Sequence, residues 1–156
     1  MALSATGLYL PAVQGIFKNT LAIDLTNTQA KIALYTATVT PNFSTDVAYS
    51  TSNEVSGAGW PAGGVLLSQA ALNQTSTAPT FAEGTTRSLR WDMGDIEVAA
   101  TTLSNISAAT IYADYLTPKQ PIITILFTGG PYSTNVGTFS IAWASGGLFE
   151  IALGGN

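Results

Sequence analysis

Asp92, Asp95 and Glu97 form the densest run of carboxylates in the chain, within Trp91-Asp92-Met93-Gly94-Asp95-Ile96-Glu97. Two carboxylates within reach of one another can divide acid and base roles, as in glycoside hydrolysis, or hold Ca²⁺ together with backbone oxygens. The spacing specifies neither. On a strand Asp95 and Glu97 share a face, Arg87 and Arg90 upstream offer simple ion pairs, and solvated surface acids account for the run. Thiolate nucleophiles, Cys/His zinc sites, disulfides and a Ser-His-Asp relay are excluded, because the 156 residues include no Cys and no His. Gly57-Ala58-Gly59-Trp60-Pro61-Ala62 has a relaxed dinucleotide-binding spacing, yet Pro61 and Gly63-Gly64 lead into a β run and not into the helix such a site needs. Thr128-Gly129-Gly130-Pro131-Tyr132 reads as a turn and not as a phosphate cradle. The expectation is therefore no enzyme, no cofactor and no metal.

Charge narrows the choice further. Five Lys and Arg against nine Asp and Glu give a net charge of −4, and charged residues make up 9% of the chain, against about 25% in ordinary globular domains. Five scattered cations displace few counterions from a phosphate backbone, so no nucleic-acid partner is expected. With 22 Thr and 13 Ser, hydroxyls must solvate much of the surface, and such a surface repels its neighbours weakly, which suits a protein packed against others. The longest apolar run, Ile122 to Phe127, is far short of the ~20 residues of a membrane helix. Pro11 interrupts Leu8-Tyr9-Leu10, and no cation precedes that stretch, so neither a membrane partner nor an export signal is expected.

The elements that must position any site read as strands and turns, in one all-β domain of the β-sandwich or barrel-like kind with one short helix and an extended N-terminal arm. Lys31 to Tyr35, Gly63 to Leu67, Arg87 to Trp91, Ile111 to Tyr115, Ile122 to Phe127, Thr138 to Ala144 and Leu148 to Leu153 are the apolar runs, bounded by Gly, Pro and Asn. Both faces of Ile122 to Phe127 are apolar apart from Thr124, which places that strand within the core, with Pro118 and Pro121 making its entry irregular. In the last two runs Phe139, Ile141 and Trp143 share a face, and Ser145-Gly146-Gly147 supplies the turn of a hairpin. Ser44 or Thr45 ahead of Asp46-Val47-Ala48-Tyr49 predicts the short helix, ending near Gly57. Asn73 to Thr80 is turn-rich and predicts a surface loop.

Residues 1–29 form the arm and entry segment, and residues 30–156 the β domain. Leu8, Tyr9, Leu10, Val13, Ile16 and Phe17 have loose helical spacing, but Pro11 and Gly15 argue against a stable isolated helix. Such a segment docks either on its own core or on a neighbouring subunit. Trp60, Trp91 and Trp143 are core or interface anchors before they are ligand stackers.

Ala30-Lys31-Ile32-Ala33-Leu34-Tyr35-Thr36, Val39-Thr40-Pro41-Asn42-Phe43, Asn53-Glu54-Val55-Ser56-Gly57, Gly59-Trp60, Ala62-Gly63-Gly64-Val65 and the ending Gly137 to Trp143 with Gly146-Gly147-Leu148-Phe149-Glu150-Ile151 carry a pattern beyond composition. It resembles a family of small virion proteins encoded among the structural genes of tailed bacteriophages, over most of Ala30 to Leu153. Where that family often carries an Arg, this chain has Ala108-Ala109-Thr110-Ile111-Tyr112 with no basic residue. The resemblance implies a capsid decoration, or cement, protein on the outer surface of the virion head. Its partners would be the major capsid protein and itself, as a homotrimer. The contacts expected in that role are Tyr9, Leu10 and Phe17 of the arm, which lies outside the resembling stretch and is chosen as an apolar segment that must dock, and Pro41 and Phe43 with Trp60 as a second region. The alternative is a minor tail or baseplate module that binds host-surface carbohydrate.

Overall fold

The computed structural model describes residues 5–68, 78–84 and 87–153. In chain order the elements are β1 (Gly7–Leu8), α1 (Leu10–Phe17), β2 (Lys31–Tyr35), β3 (Glu54–Val55), β4 (Val65–Leu66), β5 (Thr80–Glu83), β6 (Ser88–Asp92), β7 (Ile96–Ile106), β8 (Ala108–Ala113), β9 (Gln120–Leu126), β10 (Tyr132–Ile141) and β11 (Phe149–Ala152). All strand pairs are antiparallel. The main sheet runs β1-β9-β8-β2-β3, with β4 on the same edge of β2 as β3, beside a β10-β7 ribbon and a β11-β6-β5 sheet. The fold is all-β and sandwich-like, and no sheet closes into a barrel among the described residues.

Alternation decides what each sheet buries. Ile32 and Leu34 of β2, Ala109 and Ile111 of β8, and Ile123 of β9 join Trp91, Ile96, Val98, Leu103, Ile106, Phe139 and Ile141 in one core. The period of two in β7 is broken twice, since buried Val98 is followed by buried Thr101, and buried Leu103 by buried Ile106. The extra residues include Ala100 and Asn105 at φ 56° and 60°. Each is a bulge that returns the next apolar side chain to the core, and the β10 pairing shifts register there as well. Ile122 plays the same part in β9, where Ile111 pairs with Ile123 but Tyr112 with Pro121. Pro121 thus sits at a bulge, where its missing N–H breaks no ladder.

The outer face of the main sheet carries small and hydroxylated side chains. Ala33, Tyr35, Ala108 and Tyr112 cluster there with Val39 and half-buried Tyr49 of the segment 36–53, while Leu8, Ile23 and Leu25 of the N-terminal segment pack against the main core. Tyr9 donates its backbone N–H to the Ile122 carbonyl at 3.0 Å, and Trp91 Nε1 donates to the Leu25 carbonyl at 2.7 Å.

Three expectations are corrected. The one helix among the described residues lies at Leu10–Phe17, so the arm is not extended, and Asp46 to Gly57 is not helical. Pro11 stands in the first turn of α1, where its missing N–H costs nothing, and packing supplies what propensity does not. Gly15 is a packing residue, since a Cβ there would lie 2.4 Å from Leu21 Cδ1. At Asn42 the side chains take over the local bonds: Asn42 N–H donates to Asp46 Oδ2 at 2.7 Å and Ser44 N–H to Asn42 Oδ1 at 3.1 Å. These close a turn in place of a helix start. The final hairpin does not form either. Ser145-Gly146-Gly147 makes its turn, with Gly147 N–H on the Ala144 carbonyl at 2.8 Å, but β10 pairs with β7 and β11 with β6. Phe149 leaves β10 to pack across Trp91, with centroids 5.5 Å apart. The loop expected at Asn73 to Thr80 lies mostly outside the described residues, and Thr80 opens β5.

Candidate functional site

The expected contact residues separate by burial. Tyr9 is 4% exposed and Trp60 0%, whereas Leu10 is 47% and Phe17 77% exposed. Trp60 therefore offers no surface to a partner. It is held in a tight turn, where Gly57 N–H donates to its carbonyl at 2.9 Å, and its ring meets Phe139 edge-on at 5.7 Å. Tyr9 anchors the arm from below: its hydroxyl bonds Thr124 Oγ1 at 2.9 Å, which bonds Thr110 Oγ1 at 2.7 Å. Burial pushes the Tyr9 phenol above its ordinary pKa. Phe43 packs its ring against Tyr9 at 5.1 Å while its carbonyl accepts the Leu10 N–H at 2.7 Å, so the arm and the Pro41–Phe43 loop meet in one surface. Val47, 52% exposed, continues the same loop.

Because α1 starts from a backbone pinned to β9, its orientation is fixed. Ala12 and Gly15 face inward, which leaves Leu10, Gln14 and Phe17 on the outward side at a spacing of four and three residues. No charged residue occurs in Leu10–Phe17.

Two recesses lie elsewhere in and beside this surface, the first at the far end of β9 and the second next to Pro41. A groove of ≈460 Å³ runs between the end of β9 and β10, with Phe127, Tyr132, Phe139, Trp143 and Leu148 among its walls and no charged side chain in its lining. Phe127 ties the walls together, 6.4 Å from both Tyr132 and Phe139, and Trp60 backs Phe139 from the core. Trp143 is held at the rim by its indole N–H on the Gly94 carbonyl at 3.1 Å and its backbone N–H on Asp95 Oδ1 at 3.0 Å. The second recess, ≈270 Å³, is lined by Tyr35, Pro41, Asp46, Tyr49, Asn53 and their neighbours. Tyr49 stacks on Tyr112 at 4.1 Å and donates to Glu54 Oε2 at 2.6 Å, while Gly63 N–H donates to Glu54 Oε1 at 2.6 Å. Burial first, and then neighbouring carboxylates and phenols, raise the Tyr49 phenol far above its usual range, and burial raises Tyr35 and Tyr112 likewise.

The three acids around Met93 do not converge on a site. Asp92 pairs with Arg90 at 3.7 Å, Asp95 caps Trp143, and Glu97 points outward from β7. No group of three metal-ligating side chains occurs among the described residues. The sequence offered Leu10, Phe17, Pro41 and Phe43 but not the groove, whose walls come from five separated segments. No protein-family model matches the chain, and neither a curated protein nor a solved structure matches it.

Proposed function

We propose that this chain is a non-catalytic structural protein of a tailed-phage virion, a decoration protein seated on the outside of the head across junctions between major capsid subunits. The pattern over Ala30 to Leu153 supports the reading. The observation that carries it is the outward face of α1, where Leu10 and Phe17 stand exposed on a rigidly docked, uncharged helix. Exposed apolar groups rimmed by polar surface mark contact with other macromolecules. A protein that binds only the expanded shell stabilises it by RT ln(1 + [L]/Kd), about 4 kcal/mol at a thousandfold excess over Kd, and many copies multiply that term. Since apolar and hydroxyl contacts carry the binding, attachment is expected to survive molar salt. The test is to locate the protein in purified particles and count it. A copy number that follows the capsid lattice, with heads that break more easily when it is missing, is the expected result; a chain absent from particles overturns the reading.

The tyrosine-lined recess favours a second reading, a tail or baseplate module for host-surface carbohydrate. Phenol rings, hydroxyls and the Asp46 carboxylate are groups that stack on sugars and bond their hydroxyls. Saccharide titration that perturbs Tyr49 resonances, together with tail-like copy numbers, would select it.

A further inference from the structure

The geometry points to head-to-tail self-association, in which α1 of one copy inserts Phe17 into the groove between β9 and β10 of the next. This deepens the assembly reading above, and rests on it only for where the joined copies sit.

The groove lining joins aromatic and aliphatic side chains with the hydroxyls of Thr6, Thr128, Tyr132 and Ser140 and holds no charged side chain, so an anion finds no cation there while an aromatic side chain finds Phe127, Phe139 and Trp143. Its ≈460 Å³ lies in the ~300–1,000 Å³ range of ligand-sized cavities. The matching object is on the same chain. Phe17, 77% exposed, and Leu10, 47% exposed, are the largest uncharged projections of α1.

The helix cannot reach its own groove. Gly7 pairs with Thr124 and Leu8 with Ile123, and Tyr9 N–H bonds the Ile122 carbonyl, so the chain leaves toward one end of β9 while the groove opens at the other, beside Thr6 and Phe127. The occupant is therefore α1 of a second molecule. A symmetric pairing of two α1 faces would leave the groove of each copy empty. Insertion into a walled groove buries more of each side chain and adds the rim.

Rim charge agrees with this pairing. Lys18 follows Phe17 and has no ion-pair partner among the described residues, while exposed Asp95 accepts the backbone N–H of Trp143, a residue of the groove wall. Donor and acceptor surfaces differ, so the contact is heterologous and closes into a ring or continues as a filament.

Analytical ultracentrifugation of the whole chain tests this. Wild type is expected to associate with rising concentration. Phe17→Ser and Ala142→Arg, at exposed positions on the helix and in the groove, are each expected to weaken association at least roughly tenfold. Mixing the two variants joins the intact helix of one to the intact groove of the other, giving a heterodimer and nothing larger. Lys18→Asp weakens association a few-fold, and Asp95→Lys added to it restores part of the loss. Wild type that stays monomeric at millimolar concentration overturns the proposal, as does Phe17→Ser assembling like wild type, or a mixture that remains monomeric. So does a groove that Ala142→Arg affects only in thermal stability, which would give it to the chain's own first residues. Occupancy on heads is scored separately: monomers that still decorate particles sink this inference alone, and rings never found on particles sink only the virion reading.

Discussion

Replacing Thr124 by Val should be far more damaging than replacing Tyr9 by Phe, although both remove one hydroxyl from the same chain of bonds. Tyr9, Thr124 and Thr110 are 4%, 0% and 4% exposed, and the Thr124 oxygen stands between the other two at 2.9 and 2.7 Å. Tyr9→Phe leaves the Thr124–Thr110 bond intact and costs about 0.5–1.5 kcal/mol, the net value of one hydrogen bond. Thr124→Val strands two buried hydroxyls, each costing about 1–3 kcal/mol, so the total is about 2–6 kcal/mol. At roughly 2–4 °C per kcal/mol for a chain of this size, Tm falls by about 10 °C. The triple variant Tyr9→Phe, Thr110→Val, Thr124→Val strands nothing and should return to within about 1 kcal/mol of wild type. Urea unfolding with an unchanged m-value measures all three. A triple variant less stable than Thr124→Val alone would show that the hydroxyls contribute independently and refute the reasoning. Because Tyr9 anchors α1, amides of residues 10–17 should also exchange faster in Thr124→Val than in wild type.

Asp114 sits between Lys31 at 3.0 Å and Lys119 at 2.6 Å; burial works against its charge, but the hydrogen bonds from Lys119 and Lys31 prevail and hold its carboxyl below the ordinary value. That stability is present above the unfolded carboxylate pKa and lost as pH falls through the folded one, so Asp114→Asn should cost about 1 kcal/mol at pH 7, with the gap closing below about pH 4; a gap that persists at pH 2 contradicts it. Gly64 has φ +72°, and a Cβ there would lie 1.9 Å from the Ile32 carbonyl oxygen, whereas nothing lies within 4 Å of one at Gly146. Gly64→Ala should cost more than about 3 kcal/mol and Gly146→Ala less than about 0.5 kcal/mol, read by the same unfolding curves. Tyr35, Tyr49 and Tyr112 keep their protons beyond the pH at which free phenols lose them, so the folded state holds more protons there and stability should fall as pH rises above about 10. A Tyr49→Phe variant should lose less across that interval than wild type, and equal losses would count against the burial argument.

Strands whose one face meets the core were legible. Lys31 to Tyr35 coincides with β2 and Leu148 to Leu153 contains β11, while Ile122 to Phe127 overlaps β9, which begins two residues earlier at Gln120 and ends at Leu126. β7 was not, because two bulges at Ala100 and Asn105 break its alternation. Pairing was equally hidden: Gly146-Gly147 makes a turn whichever strand follows, and Phe149 is drawn to Trp91 by packing that no local pattern records. Helix placement failed in both directions for one reason. Asn42 and Asp46 bond their own backbone where capping residues suggested a helix, while docking on β9 stabilises α1 despite Pro11 and Gly15. Of the candidate contacts, Leu10 and Phe17 were legible as an apolar segment, whereas Trp60 proved to support the groove from behind, a role visible only once Phe139 is placed beside it.

A chain with so little charge must still avoid adding strands to its neighbours indiscriminately. β10 is a ten-residue edge strand, and its sequence has no charged residue, so the usual guard of lysines is missing. Its irregularity takes that role. Three register shifts interrupt its pairing with β7, and Val136 takes φ +49° although 76% exposed. That backbone is costly for a β-branched residue and spoils the regular row of donors and acceptors that an incoming strand needs. Thr101 fixes the distortion from inside, with its hydroxyl on Thr134 Oγ1 at 2.8 Å and the Gly137 carbonyl at 2.9 Å. With strand addition blocked at this edge, association falls to shape: a projecting helix, a groove without charge, and one cation and one carboxylate at the rim to set the register. Replacing Val136 by Gly, which relieves the backbone without adding contacts, should stabilise the monomer by about 1 kcal/mol and leave assembly through Phe17 unchanged. Loss of assembly in that variant would show that the β10 edge, and not the helix, joins the copies.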